Sequence, residues 1–413
     1  MPSTNDRCIA HLDIKGQEPL NAEPDVLSLV QFTHTPDELV YCRNHSSIEA
    51  LDAETYKLKI DGIVEKSLEF TLSDFMHAFP LRVKIVAALQ CAGNRRKKMA
   101  DVKQKDVEGI KWGEATIANV RFTGVPLRNV LLAAGLTCKD DRDAVRKLHV
   151  CFASHVSGCQ DDGWYGASIP LEKALDESGD VMVALEMNGH PLAPAHGFPF
   201  RMVVPGYTGA RWVKWLDRIT VSPTESSNFY QQRDYKILPP HVETREQAKA
   251  ESWWSKMPPI TANPLNSVIA TARVIPPELT RGLSHSTSTV SPGSTSITIL
   301  AKGYAIPSDS GQITSVCISC NKGRTWKPAR ITYQEGRWSW TLWEATVTVD
   351  VADFYAHGGE DGAGINEGEP KKGRKVVLWS RAEDESGKKQ ELECDWNLRG
   401  VGYAGVGEYE IIL

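Results

Sequence analysis

The sequence predicts an α+β protein in two parts, a region of mixed helices and strands followed by an all-β sandwich. Three observations carry this. Up to about Thr261, helix-spaced and strand-like stretches follow one another without regular βα alternation, which argues against a doubly wound sheet. Beyond that point the chain turns to short strands of period-two patterning separated by turn residues. The 413 residues suffice for two or three domains at roughly 100–200 residues each. The change of character divides the chain into 1–261 and 262–413.

The elements follow in order. Residues 83–89 form a short run rich in Val, Ile and Ala, bounded by Cys91-Ala92-Gly93-Asn94, and read as a buried strand feeding a loop. Residues 127–136 place apolar side chains at helical spacing. Residues 201–206 and 213–221 read as further strands around Tyr207-Thr208-Gly209-Ala210. The proline-punctuated stretch 239–264, with Trp253-Trp254, suits a connector packed on the surface, and 284–296 has linker composition. Strands are then expected at 296–301, 313–319, 338–343 and 375–382, with a turn at Asn321-Lys322-Gly323 and an exposed Gly-rich loop at 358–373.

Composition narrows the function classes. Hydrophobic residues at 41% and charged residues at 24% are those of a globular protein, so wholesale disorder is excluded. Lys plus Arg number 47 against 52 Asp plus Glu, a formal charge of −5. Such a balance gives no general attraction for nucleic acid or an anionic membrane. No stretch approaches the ~20 apolar residues of a membrane span. A polar N-terminus without an apolar core, and nine irregularly spaced cysteines, predict a soluble protein of a reducing, intracellular compartment; cytoplasm, mitochondrion and peroxisome all remain open.

The densest chemical signal is Leu89-Gln90-Cys91-Ala92-Gly93-Asn94-Arg95-Arg96. Cations beside a cysteine stabilise its thiolate, the form that binds metals, and the same field attracts an oxyanion. By composition alone the octapeptide fits equally a buried structural cysteine beside two surface arginines. Cys317-Ile318-Ser319-Cys320 has CxxC spacing without a second pair or a histidine at zinc-site distance, so zinc is not expected there. In that strand Val316 and Ile318 are expected to face inward and Cys317 outward. His357-Gly358-Gly359 has no haem-domain pattern around it.

The octapeptide resembles the molybdenum-anchoring segment of the sulfite oxidase family, which also contains the assimilatory nitrate reductases. The resemblance runs through most of the chain in the family's order: Arg43-Asn44-His45, Trp112, Glu186 to Gly189, His196 to Arg201, Gly209 to Leu216, Arg233 to Lys236, and Trp396 to Gly400. It implies a sulfite-oxidase-type molybdopterin domain followed by an immunoglobulin-like sandwich that serves dimerisation. It further implies a molybdenum–molybdopterin cofactor whose metal takes Cys91 as its protein ligand. Softness agrees, since a thiolate suits a metal already bound by dithiolene sulfurs. Arg43, Asn44, His45, His196, Arg201, Arg211 and Lys214 are then expected to hold the pterin and its phosphate. Arg43, Arg96, Arg399 and Trp112 are expected to form the oxyanion pocket, with Tyr235 facing the metal. Three guanidiniums without carboxylate partners would be the mark of such a pocket.

The activity implied is oxidation of sulfite to sulfate by oxygen-atom transfer at Mo(VI). The architecture resembles the haem-free plant-type sulfite oxidases, so no haem is expected in this chain and electrons are expected to pass to an external acceptor, oxygen or a haem protein. Two alternatives stand beside it, a nitrate reductase-like module and a non-catalytic molybdopterin-binding protein. Arg399 weighs against the first, because nitrate reductases tend to lack an arginine there. The chain also departs from the family: the tail after Gly400 is altered, residues 153–158 lack an expected aspartate, and the stretch between Arg96 and Trp112 is longer and carries Lys97, Lys98, Lys103 and Lys105, which read as a solvated basic face.

Overall fold

The computed structural model describes residues 11–137, 141–276, 296–350 and 375–412. The first seven residues, almost all of the expected linker at 284–296, and His357 with the Gly-rich loop at 358–373 lie outside the described residues.

Strand Val83–Gln90 pairs antiparallel with Ile117–Pro126, down to Gln90↔Ile117. Ile117–Pro126 pairs in turn with Met182–Met187, whose other partners are His190–Pro191 and Arg201–Val203. Eight of the ten residues of Ile117–Pro126 are apolar, glycine or threonine, and all but Arg121 and Pro126 are buried, as a central strand covered on both faces requires. A second sheet runs Leu68–Phe70, Leu58–Gly62, Arg218–Ser222, His149–Ser154 and Tyr165–Pro170. Its Leu58–Gly62/Arg218–Ser222 ladder is the one parallel pairing among the described strands. A small third sheet, Asp13–Gln17, Leu20–Glu23 and Cys42–Arg43, brings Arg43 toward the other two. One core, including Phe122, Phe152, Phe200 and Trp212, fills the space between.

Beyond residue 265 two four-stranded antiparallel sheets face each other across a core that includes Ile299, Val316, Ile318, Trp343 and Leu378. The α+β region followed by a β-sandwich is the architecture expected. Strand Ile313–Ser319 buries Val316 and Ile318 and leaves Cys317 half-buried, as alternation dictates. Among the described residues no cluster of three or more His, Cys, Asp or Glu could hold a metal ion, the CxxC included. Cys91, Cys151, Cys159, Cys317, Cys320 and Cys394 are free thiols.

Several expected elements are shorter or different. Residues 213–221 extend only over Arg218–Ser222, because Trp215 at φ 50 leaves the extended region. The strand expected at 201–206 stops at Val203, ahead of Pro205, which has no N–H, and Gly206 at φ 80. The connector is partly helical, with Arg245–Ala250 capped by the Thr244 side chain and Trp253–Lys256 after it. Trp338 lies outside strand Thr341–Asp350 and makes a parallel bridge to Ala87 instead. Ala88, Ala115 and Ile117 from the first region pack with Val268, Tyr304 and Trp340 from the second. The chain returns once more. Trp396, Leu398 and Tyr403 pack with Met99, Val107 and Leu238 of the first region, which carries Arg399 back toward the loop that begins at Cys91. Among the described residues no helix is long and apolar enough to cross a membrane.

Candidate active site

Cys91 follows the end of strand Val83–Gln90, its backbone N–H fixed on Thr116 O at 3.0 Å. Its side chain is buried, and Sγ accepts from Gly93 N–H at 3.4 Å. Gly93 is required where it stands: a Cβ there would lie 2.9 Å from both the Arg96 guanidinium and the Trp112 ring. Arg95 at φ 66 then turns the chain into helix Arg96–Lys103. The two arginines therefore point to different tasks. Arg96 turns toward Cys91, and Arg95 points away into the sandwich. Neither is at the surface, which disposes of the surface-arginine alternative.

Burial raises the Cys91 thiol pKa, and Arg43 and Arg96 only partly pull it back down. The cations favour the thiolate, as expected, and burial outweighs them. In this pocket desolvation wins, so ligation would have to expel the proton.

Two cavities meet at Cys91. The inner pocket spans about 700 Å³ including its open mouth, and the outer one is a wider cleft; Arg43, His45, Cys91 and Tyr235 line both. The inner cavity is also lined by Asn44, His196, Arg201 and Lys214. Lys214 Nζ donates to Asn44 Oδ1 and to Ala195 O at 2.9 Å, and Arg201 Nη1 donates to His196 O at 3.1 Å. His196 Nε2 and Arg201 Nε are buried without a partner. Burial lowers Arg201 to about 10. Burial, then Lys214 and Arg201, lowers His196 to about 3. Burial and Arg201 bring Lys214 to about 7. Cations short of countercharge, beside orphaned donors, fit a polar anionic group such as a pterin phosphate.

The outer cleft adds Arg96 and Arg399 to the shared residues. Arg96 donates from Nε to Arg399 O at 2.9 Å and from Nη1 to Ile110 O at 2.9 Å. Burial lowers its pKa to about 10; Cys91 opposes that, while Arg399 and Arg43 add like-charge repulsion. Gly400 permits this approach, since its φ is 53 and a Cβ would lie 2.7 Å from Arg96 Cγ. Tyr235 OH lies 2.7 Å from His45 Nε2, and Arg43 Nη2 lies 3.2 Å from His45 Nδ1. Burial and the surrounding cations hold His45 well below 6.5, and burial lifts Tyr235 to about 12.

The structure thus brings Cys91, Arg43, Asn44, His45, Arg96, His196, Arg201, Lys214, Tyr235 and Arg399 to one pair of cavities. Two expected residues do not line either. Trp112 is fully buried behind Gly93, with Nε1 unpartnered. Arg211 points to Ile260 O at 2.8 Å and to Gln231, behind the wall that Ala210 and Trp212 present. The arginine cluster also differs from expectation, because Arg399 has carboxylate partners. Its Nη2 pairs with Asp234 and its Nη1 with Glu108 Oε2 at 3.2 Å. Asp234 sits in the Arg233-Asp234-Tyr235-Lys236 block and could have been suspected; Glu108 lies in the lysine-rich stretch and gave no signal. The lysines of that stretch bear out a surface role: Lys98 pairs with Glu408, Lys103 with Glu393 and Lys105 with Glu243. Where the expected aspartate is missing, residues 153–163 supply Gln160 and Asp161 to the cleft.

Two family models match the chain, an oxidoreductase molybdopterin binding domain over residues 45–230 and a Mo-co oxidoreductase dimerisation domain over 275–357. Sulfite oxidase of Gallus gallus is 35% identical over 94% of this chain and 75% of its own length. Mitochondrial sulfite oxidase of Homo sapiens is 38% identical over 82% of this chain and 57% of its own. An inducible NADH nitrate reductase of Glycine max is 34% identical over 94% of this chain, which spans only 40% of that protein. Among solved structures, the sulfane dehydrogenase SoxCD of Paracoccus pantotrophus shares the fold, with a TM-score of 0.67 and 24% identity over 96% of this chain and 85% of that one.

Proposed function

The chain belongs to the sulfite oxidase family of molybdopterin oxidoreductases, and on that premise we propose that it oxidises sulfite to sulfate and passes two electrons to an external acceptor, oxygen or a haem protein. One observation carries the reading: Cys91, Tyr235 and the guanidiniums of Arg43, Arg96 and Arg399 converge where a pocket of cationic lining opens into a cleft. The inner cavity would hold the molybdenum cofactor, with Cys91 as metal ligand and Asn44, His196, Arg201 and Lys214 against its polar and phosphate groups. The cofactor, when bound, supplies the oxygen-atom transfer and accepts the electrons. Residues 1–261 would form the cofactor-binding unit and 262–413 the dimerisation unit of a homodimer.

The chain's own residues prepare the anion. Arg43 and Arg96 offer donors to sulfite oxygens beside Cys91. The Tyr235 proton is aimed by its neighbours. Arg43 is only a donor, so the neutral His45 accepts at Nδ1 and carries its proton on Nε2. His45 Nε2 therefore donates to the Tyr235 oxygen, and the phenol proton is left to hydrogen-bond an anion in the cleft. At about 12, the Tyr235 pKa keeps that proton in place at neutral pH.

Sulfite-dependent reduction of ferricyanide by protein of measured molybdenum content tests the reading, since the dye replaces an unknown acceptor. No turnover by loaded protein would overturn it. Nitrate reduction is the second reading, supported by the nitrate reductases among the relatives, and reduced-dye assays with nitrate address it. Arg96→Gln should raise the sulfite KM roughly tenfold to a hundredfold, as loss of a charged contact to a small anion does, with a smaller change in kcat. An unchanged KM would remove Arg96 from the binding role.

Lys214 gives a separate test. In cofactor-free protein its folded pKa of about 7 lies below the ordinary lysine value of 10.5. Between those values the unfolded chain binds a proton that the folded chain does not, so stability rises with pH over that window. Urea midpoints at pH 7 and pH 9 should show the rise, and Lys214→Met should flatten it. A rise of equal size in the variant would assign the effect elsewhere.

A further inference from the structure

Arg399 reaches the cleft with both Nη groups engaged, one by Asp234 and one by Glu108. The Glu108 oxygen that accepts from Arg399 Nη1 at 3.2 Å also accepts from Arg245 Nε at 2.6 Å, so one carboxylate oxygen bridges two guanidiniums. Both arginines line the cleft. The bridge is not a chance rotamer of a loose loop, because Glu108 N–H is fixed on Leu398 O at 2.9 Å, the residue before Arg399. The Glu108 side chain is 33% exposed and that of Arg399 10%, so their attraction is only partly screened. Each Nη group carries two N–H donors and the two carboxylates take one apiece, so Arg399 keeps donors for an anion while its charge is balanced.

We propose that Glu108 is a specificity-determining residue that weakens the cleft's hold on small oxyanions, and on sulfate above all. The inference rests on the reading that the cleft takes sulfite and releases sulfate. Arg43 and Arg96 donate to neutral partners and to backbone carbonyls and keep their charge for the ligand. With Arg399 and Arg245 also uncompensated, four guanidiniums would bind the dianionic product tightly and slow its departure. Glu108, with Asp234, lowers the field that Arg399 and Arg245 add to the cleft. A dianion feels the balanced charge more strongly than a monoanion, so the carboxylate acts chiefly on the release of sulfate.

Holoprotein carrying Glu108→Gln or Glu108→Ala tests this against the unaltered chain. Glutamine keeps a carbonyl acceptor for both arginines and removes the charge, and its equal size guards against loss of the fold. Titration calorimetry with sulfate at low ionic strength should show dissociation constants lower by roughly fivefold to tenfold in both variants, the effect of deleting one partly screened charge from the site. The difference should shrink in strong salt. The sulfite KM should fall in parallel while kcat does not rise. Sulfate affinity that is unchanged or weaker in folded, molybdenum-loaded variants would overturn the proposal. Calorimetry reads anion binding without turnover, so a wild-type protein inert toward sulfite would sink the proposed function and leave the role of Glu108 still measurable.

Discussion

On the proposed function, Cys91→Ser should abolish sulfite-dependent ferricyanide reduction, with activity lower by on the order of 10³-fold or more, the scale on which removing a group essential to chemistry acts. The fold should survive. Sγ accepts a single long hydrogen bond, from Gly93 N–H at 3.4 Å, and a serine hydroxyl of similar size can take it over. The chemistry does not survive, because a hydroxyl is harder and far less acidic than a thiol and makes a poor ligand for a soft site. Even the thiol is held protonated by burial here, so the residue at 91 has to give up a proton in a desolvated site, which serine does much less readily. Three readouts separate the possibilities: molybdenum content, the visible absorption of sulfur-to-metal charge transfer, and turnover. The expected variant retains its melting temperature, loses the thiolate contribution to the absorption and is inactive. A variant with full molybdenum and near-normal turnover would show that Cys91 is not the ligand.

The Cys91 loop was legible because its residues are consecutive, and a strand that runs into Gly-Asn defines a turn wherever it occurs. Arg43 and Arg399 come from opposite ends of the chain and could be joined to it only through resemblance to a family. What sequence could not show is direction. Trp112 and Arg211 lie on segments that do border the site, yet both side chains are turned away into buried partners or packing. Glu108 was invisible for the opposite reason. Its lysine neighbours gave the stretch the look of a solvated face, and only the return of residues 396–403 across that face makes one of its carboxylates a partner of Arg399. Strand 213–221 was overextended because apolar patterning cannot register the left-handed turn at Trp215.

Arg95 shows the same limit, and its replacement carries the largest stability effect expected for this molecule. Adjacent arginines are equivalent in the sequence, but φ 66 at Arg95 sends the two side chains apart. Arg95 is fully buried and donates from Nη1 to Asn266 Oδ1 and Gly405 O, each at 2.7 Å, and from Nη2 to Val406 O at 2.7 Å. Its Nε pairs with Glu114 at 3.1 Å, and its guanidinium stacks 4.5 Å from the centre of the Tyr403 ring. These partners belong to both regions of the chain, so Arg95 ties the Cys91 loop to the sandwich and to the segment after Arg399. Arg95→Ala takes the guanidinium donor from Val406 O and Glu114 and leaves Gly405 O and Asn266 Oδ1 only the shared Gln390 Nε2, a loss of about 3–5 kcal/mol for a buried charged partner. Melting should fall by on the order of 5–10 °C. Arg95→Lys keeps the charge and cannot reproduce the fork, so it should fall between the two. The site should feel the change as well. Gly405 and Val406 anchor the segment that carries Arg399, and freeing them loosens Arg399 relative to Arg96, whose Nε is bonded to Arg399 O. The sulfite KM of Arg95→Lys should therefore rise even at temperatures where the variant is fully folded. If it melts lower but binds sulfite normally, the clamp and the anion cleft are independent; if its melting is unchanged, the clamp does not hold the two regions together.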